Sequence, residues 1–139
     1  MDKSRLEKLR EENRRVMKKK KWESNVLFKE CLQNLRYVRI IEEDTENQRV
    51  LDFIYKERWG FAGIDKGSCA AVKLNADTYY YVAWDNAELS VVQSRGENIL
   101  ECLEDVFAVS FETYLLSSDL AEIIHSDDRG RITIERRNG

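Results

Sequence analysis

A run of mostly β-branched and aromatic residues at positions 78–84, TYYYVAW, constrains the fold more than any other feature of this sequence. Such a composition favours a β-strand, and the side chains of a strand point alternately to its two faces. Tyr79 and Tyr81 would then share one face, whereas Tyr80 and Trp84 would share the other. Because both faces carry large rings, we expect a sheet that is either covered on both sides or keeps one face for a partner.

The segments around this strand predict a small antiparallel sheet. Turn-prone residues flank the strand on both sides, and a β-prone run lies beyond each turn. The two runs are residues 69–74 and 88–93. This pattern indicates a three-stranded antiparallel meander. A short last strand is predicted at Ile132 and Ile134, where apolar and polar residues alternate.

Apolar residues spaced three or four positions apart predict several amphipathic helices. The predicted helices cover residues 22–38, 46–58, 94–107 and 111–124. Two capping-box pairs, Thr45 with Gln48 and Ser94 with Glu97, mark the starts of the second and third helices. The sequence therefore predicts a single α+β domain, in which a small antiparallel sheet packs with several α-helices.

Charge is distributed unevenly along the chain. Residues 1–21 hold ten Lys and Arg against four Asp and Glu, whereas residues 22–139 hold 13 against 22. We therefore divide the chain into a basic N-terminal helix or tail, residues 1–21, and an acidic domain, residues 22–139. Because an acidic domain repels phosphates, we expect no nucleic acid as the main partner and favour a basic protein instead.

Hydropathy and cysteine content indicate the compartment. No apolar run approaches the roughly 18–20 residues that span a bilayer, and the N-terminus lacks the apolar core of a secretory signal. Cys31, Cys69 and Cys102 are widely spaced and odd in number, which indicates reduced thiols rather than a disulfide framework or a zinc site. We therefore expect a cytoplasmic protein with no membrane partner.

The sequence contains no recognisable catalytic set. His125 is the single histidine, and we expect it at a helix C-terminus, where a cation is favoured. Three glycines between positions 60 and 67 predict a loop, but their spacing is not that of a phosphate-binding motif. The acidic clusters lack the spacing of a calcium loop. We therefore expect no cofactor, no metal and no enzymatic activity.

Acidic residues are frequent in the predicted meander turn and in the segments that follow it, and some of them must face solvent. An acidic surface speeds the capture of a basic partner, and aromatic rings serve as anchors in protein interfaces. The candidate contact residues are Asp85, Glu88, Glu112, Asp119, Asp127 and Asp128, with Tyr80 and Trp84 as candidate anchors.

Two stretches of the chain form an extended pattern, WDNAELSVV at 84–92 and DVFAVSFETYL at 105–115. Together with His125 and the last strand, this pattern resembles small bacterial immunity proteins of contact-dependent growth inhibition and related polymorphic toxin systems. Upstream, RWG at 58–60 and GID at 63–65 resemble the Trp-Gly-x-Ile-Asp element of that family. The resemblance covers about residues 48–135. Tyr114 stands where tryptophan is usual, and two residues lengthen the upstream element.

The resemblance implies an immunity protein that binds the C-terminal domain of one cognate toxin and neutralises it. Many toxins of such systems are nucleases with basic clefts. An acidic surface would then occupy the active site or the substrate cleft of the toxin in place of nucleic acid.

Two other functions stay open on the sequence alone. The first is a non-catalytic regulatory or adaptor module that dimerises, or that binds a partner through its basic N-terminal segment. The second is a hydrolase that uses His125 with a carboxylate or a cysteine. Removal of residues 1–21 would separate the first from an immunity protein, and His125→Ala would test the second. The oligomeric state stays open as well.

Overall fold

The computed structural model describes residues 5–10, 12–13, 24–57, 61–65, 72–86 and 88–137. Within these residues, seven strands form a single antiparallel sheet in the order β1-β4-β3-β5-β6-β7-β2. The strands are β1 (Arg39–Ile40), β2 (Phe61–Asp65), β3 (Tyr79–Trp84), β4 (Val92–Arg95), β5 (Thr113–Ser117), β6 (Glu122–Ser126) and β7 (Ile132–Arg137). The helices are α1 (Val26–Asn34), α2 (Asp44–Asp52), which continues into a π-helical turn (Phe53–Glu57), α3 (Gly96–Glu101) and α4 (Leu103–Ala108).

One face of the sheet is covered by α1, α3 and α4. Trp84 and Leu115 on this face are buried in a cluster with Phe28 of α1 and Val106 of α4. The ring of Phe28 meets that of Trp84 edge-on, with centroids 5.3 Å apart. Burial of these large side chains provides the main hydrophobic stabilisation of this half of the domain.

The other face of the sheet is covered by α2 and the π-helical turn. Tyr81 and Tyr114 on this face are buried with Val50 of α2 and Ile54 of the turn. Tyr80 and Trp84 on one face of β3 and Tyr81 on the other therefore lie in two separate cores, whereas Tyr79 is half-exposed. The expectation of an α+β domain is confirmed, and the sheet is covered on both sides.

The helix predicted at residues 111–124 is wrong, because this segment forms the hairpin of β5 and β6. Leu115 faces the first core and Leu116 faces the second, so consecutive residues are both buried. A strand that is buried on both faces loses the alternation of apolar and polar residues, and its apolar spacing then imitates that of a helix. Leu120, at φ 62°, lies in the turn of the hairpin.

The predicted meander is also corrected. Residues 72–74 are not in a strand, and residues 69–71 lie outside the described part of the chain. The two neighbours of β3 are β4 and β5, so the second partner comes from about 30 positions later in the sequence. The predicted strand at 88–93 forms further on, as β4 from Val92 to Arg95.

The predicted glycine loop contains β2, which pairs with β7 over five residues from Phe61 to Asp65. Backbone hydrogen bonds to a neighbouring strand suffice to order such a segment, although glycine weakens a strand. The predicted last strand at Ile132 and Ile134 is confirmed as the start of β7.

The positions of the helices predicted at 22–38 and 46–58 were correct, whereas neither of the two predicted capping boxes, at Thr45 and at Ser94, forms. The helix α1 lies within the segment predicted at 22–38, and α2 begins at Asp44, with Glu43 as its N-cap residue and no side-chain capping bond. Ser94 belongs to β4, where its hydroxyl donates to the carbonyl of Arg36 at 2.8 Å.

In the N-terminal segment, residues 5–10 and 12–13 are helical. The lysine run at 18–21 lies outside the described residues. Among the described helices, none is both long and apolar enough to cross a bilayer.

Candidate functional site

The antiparallel register brings distant parts of the chain to one end of the sheet. Trp84, the last residue of β3, pairs with Thr113, the first residue of β5. Thr113 also pairs with Ser126 at the end of β6, and Ser126 pairs with Ile132 at the start of β7. Residues that follow or precede these strand ends must therefore lie near one another, although the end of β3 and the turn between β6 and β7 are more than 40 positions apart in the sequence.

Five of the six predicted acidic contact residues lie at this end. We call them the acidic end, which consists of Asp85, Glu88, Glu112, Asp127 and Asp128. Asp85, Glu88 and Asp128 are exposed, whereas Glu112 and Asp127 are half-buried. The structure thus brings these five candidate residues to the same end of the sheet.

The side chain of Asp85 connects β3 to the loop before β5. Its Oδ1 atom accepts hydrogen bonds from the hydroxyl of Ser110 and from the backbone N–H of Glu112, the latter at 3.1 Å. In the other direction, the backbone N–H of Asp85 donates to the carbonyl of Glu112 at 3.2 Å. These three bonds hold residues 110–112 against the end of β3.

Asp127 shapes the turn between β6 and β7. Its Oδ1 accepts from the backbone N–H groups of Arg129 and Arg131, at 2.9 and 2.8 Å. The bond from Arg131 is the main reason why the pKa of Asp127 lies below its usual value. Gly130 follows at φ 77°, a conformation that favours glycine. Asp127 is therefore a charged residue with a structural role in the turn.

Glu112 also connects the acidic end to the second core. Its Oε1 lies 3.1 Å from Nε2 of His125 on the neighbouring strand β6. The imidazole ring stacks on Tyr114 with centroids 4.3 Å apart and planes 7° apart, and Tyr55 meets Tyr114 edge-on. His125 thus lies in a strand, which corrects the expectation of a helix C-terminus.

This environment bears on the chemistry available to His125. A histidine–carboxylate pair can orient a general base, but a hydrolase of the type considered above also needs a nucleophile. Cys31 and Cys102 belong to the core on the opposite face of the sheet. Burial raises the pKa of these thiols, to about 12 for Cys31 and about 11 for Cys102. Neither cysteine is a nucleophile for His125. Among the described residues, no group of three or more metal-ligating side chains is found.

Tyr80 and Trp84 do not have the exposure that the predicted anchor role requires. They are 3% and 4% exposed in the first core. The hydroxyl of Tyr80 accepts a bond from the backbone N–H of Asn75 at 3.2 Å, and Nε1 of Trp84 donates to the carbonyl of Val106 at 2.9 Å. Burial also raises the pKa of Tyr80. Both rings are therefore structural, because the first face of β3 is covered by helices.

Asp119 lies at the opposite end of the sheet, in the turn between β5 and β6. Its Oδ1 accepts from the hydroxyl of Ser117 at 2.6 Å and from the backbone N–H of Ala121 at 3.1 Å. The bond from Ser117 is the main cause of its lowered pKa. The five residues of β5 separate it from the acidic end by about 16 Å. The prediction of a single surface therefore does not extend to Asp119.

An exposed aromatic residue that the sequence did not reveal lies within the acidic end. Phe111 is 78% exposed and stands between Ser110 and Glu112. The helix predicted at 111–124 placed Phe111 at the first position of its apolar face. The polar residues on both sides of Phe111 were the one local signal of its exposure.

Beside Phe111 lies a groove of about 360 Å³ between α4 and the turn that joins β6 to β7. Phe107 and Ala108 contribute apolar surface to it. Its acidic lining residues are Glu104, Asp127 and Asp128. The acidic end thus combines an exposed ring, an apolar groove and carboxylates.

A larger groove, of about 1190 Å³, lies on the other face between α2 and the turn that joins β5 to β6. Its lining includes Asp52, Arg49 and Leu120. Asp52 is bonded to Gln48 at 2.8 Å and paired with Lys56 at 3.2 Å. The negative charge of Asp52 is therefore partly balanced by Lys56.

Comparison with known protein families identifies the family to which the chain belongs. A family model described as CdiI immunity protein EcoliA0-like matches residues 25–135, from the start of α1 into β7. The chain therefore belongs to the CdiI immunity family of contact-dependent growth inhibition, as the sequence resemblance implied. It is a toxin-neutralising immunity protein, and its partner is a cognate toxin protein. No curated protein sequence matches the chain.

Proposed function

We propose that this immunity protein neutralises its toxin by stoichiometric binding of the acidic end to a basic surface of the toxin. The toxin domain would be a nuclease, and the basic surface would be its active site or substrate cleft. The protein would carry out no reaction of its own. The observation that supports this proposal is the convergence of five carboxylates from three separate chain segments at one end of the sheet.

The spacing of these carboxylates favours a joint electrostatic effect. Neighbouring strands lie about 4.8 Å apart, so β3 and β6 are separated by about 10 Å. This distance slightly exceeds the Debye length of about 8 Å at physiological salt, so the carboxylates reinforce one another mainly at lower salt, where the Debye length is longer. Such a surface raises the rate of encounter with a basic partner by about 10- to 1,000-fold at low salt.

The larger groove on the second face is a weaker candidate for a nuclease cleft. Its two carboxylates are Asp44 and Asp52, of which Asp52 has a lysine partner, and the cation Arg49 lies in the same lining. Asp127 and Asp128 also have arginine neighbours, but the acidic end holds five carboxylates against the two of this groove. A basic cleft would therefore gain less from the groove.

A pair of matched variants tests which surface binds. Glu88→Gln with Asp128→Asn removes two exposed charges at the acidic end and spares the hydrogen-bonding residues Asp85 and Asp127. The control, Glu97→Gln with Asp119→Asn, makes the same change in net charge at the opposite end. Because each exposed ion pair contributes about 0.2–1 kcal/mol, the first variant should bind about 2- to 30-fold more weakly. The control should bind as the wild type does.

The measurement is the affinity for the purified C-terminal domain of the toxin encoded beside this gene, at low and at physiological salt. Wild-type protection of cells against that toxin identifies the pair as cognate. Equal affinities for the two variants would reject the acidic end as the toxin-binding surface.

The mode of neutralisation needs a separate test. Occlusion of a substrate cleft predicts a 1:1 complex, competition between the immunity protein and the nucleic acid substrate, and recovery of active toxin with unchanged mass after dissociation. A toxin that is cleaved or covalently altered after contact with the immunity protein would show that the protein is an enzyme.

A further inference from the structure

We propose that Phe111 is the apolar anchor of the toxin interface, and that its partner is an apolar patch of the toxin bordered by lysine or arginine side chains. This inference rests on the proposed function, because it assigns a role to one residue within the acidic end. It also assigns different kinetic roles to two kinds of group. The carboxylates set the rate of association with the toxin, and the ring sets the rate of dissociation.

The first support is the exposure of the ring in a constrained loop. Phe111 is 78% exposed. Hydration of an apolar side chain is unfavourable, so burial of this ring in an interface would lower the free energy. The residues on both sides are bonded to Asp85, through the Ser110 hydroxyl and the Glu112 backbone N–H. Because the loop is held before binding, little conformational entropy remains to be lost when the toxin docks.

The second support is the surface beside the ring. The groove next to Phe111 has apolar surface that includes Phe107 and Ala108, and Glu104 and Asp128 are among the acidic residues that line it. Residues that dominate binding typically stand at the centre of an interface within a ring of polar contacts that exclude water. The arrangement of an aromatic side chain among carboxylates has this form.

The third support is the chemistry of the matching surface. A toxin side chain that fills the groove must be apolar to replace water against Phe107 and Ala108. The groups around it must be cationic to avoid leaving carboxylates desolvated without partners. An apolar patch within a basic border satisfies both requirements, whereas a purely basic surface would bury charged groups against the apolar groove at a cost in hydration.

The experiment measures association and dissociation rates of Phe111→Ala with the toxin domain of the cognate pair. We expect affinity to fall about 30-fold or more through faster dissociation, with an unchanged association rate and unchanged dependence on salt. Tyr79→Ala is the matched control, because Tyr79 is 50% exposed at the opposite end of the sheet. It should bind as the wild type does.

The outcome distinguishes this inference from the proposed function. Suppose that Glu88→Gln with Asp128→Asn weakens binding while Phe111→Ala binds within threefold of the wild type. The anchor role of Phe111 is then overturned, but the acidic end remains the proposed toxin-binding surface. If neither variant weakens binding, the acidic end itself is not the interface. A slower association rate for Phe111→Ala, with dissociation unchanged, would also overturn the anchor role. Thermal unfolding of each variant confirms that it is folded.

Discussion

The carboxylate of Asp85 accepts a hydrogen bond from the backbone N–H of Glu112, 27 positions later in the chain, at 3.1 Å. This bond joins the end of β3 to the start of β5, and the same Oδ1 atom also binds the Ser110 hydroxyl. Asp85 therefore has two separable properties, a negative charge at the acidic end and an acceptor oxygen that orders the loop around Phe111.

Substitution of Asp85 should separate these two properties. Asp85→Asn removes the charge but keeps an acceptor oxygen, whereas Asp85→Ala removes both. We expect Asp85→Ala to lower the free energy of unfolding by about 1 kcal/mol relative to Asp85→Asn, and to bind toxin more weakly than Asp85→Asn does. Urea unfolding and affinity measurements on the two variants provide the comparison. Identical behaviour of both would show that the loop is ordered without these bonds.

Asn47 should be among the most sensitive polar positions of the fold. Its side chain is buried, its Oδ1 accepts from the backbone N–H of Val91 at 2.8 Å, and its Nδ2 donates to the carbonyl of Ile41. Asn47→Ala leaves both buried backbone groups without these partners, so the free energy of unfolding should fall by about 1–3 kcal/mol. Gln48→Ala, on the exposed side of α2, should change it by less than about 0.5 kcal/mol. Chemical denaturation measures the free energy of unfolding of both variants. Similar losses of stability for Asn47→Ala and Gln48→Ala would contradict the prediction.

Gly96 should not tolerate a side chain. A Cβ atom at this position would lie 2.1 Å from the carbonyl oxygen of Asn75, which belongs to the backbone and cannot rotate away. Gly96→Ala should therefore lower the free energy of unfolding by about 1–3 kcal/mol, as overpacking does. Gly130→Ala provides a comparison, because a Cβ there has no atom within 4 Å and only the φ of 77° opposes it. We expect the melting temperature to fall more for Gly96→Ala than for Gly130→Ala, and the reverse order would contradict the argument.

The thiols of Cys31 and Cys102 should react slowly in the folded protein. Their pKa values of about 12 and about 11 mean that roughly one thiol in 10⁴ and one in 10³ is ionised at pH 8. A Cys69→Ser background leaves only these two thiols to titrate with an aromatic disulfide reagent. Fast reaction without denaturant, at the rate seen in urea, would contradict the burial of both groups.

The same thiols predict the sign of a pH effect on stability. Their pKa values are raised on folding, so the folded state favours the protonated form. Their contribution is fully present below the unfolded pKa near 9 and is lost as the pH rises through 9 towards the folded values. In the Cys69→Ser background, replacing both remaining cysteines with alanine should therefore reduce the loss of stability between pH 8 and pH 10.

The sequence by itself determined the α+β class, the strand at Tyr79–Trp84, the strand that begins at Ile132 and the family of the protein. Local propensity and an extended pattern of residues suffice for these features, because they depend on neighbours in the chain. The same information also favoured a surface of acidic residues that follow the meander turn.

Tertiary structure decided the rest. Because both faces of the sheet are covered, the consecutive residues Leu115 and Leu116 are both buried, each in a different core. The β5–β6 hairpin therefore has the apolar spacing of a helix. Because of that hairpin, Asp119 lies at one end of the sheet and Glu112 at the other. Helices α1 and α4 bury Trp84 but leave Phe111 exposed. Which side chains meet at one end depends on the register between strands that are far apart in sequence, and local propensity carries no information about that register.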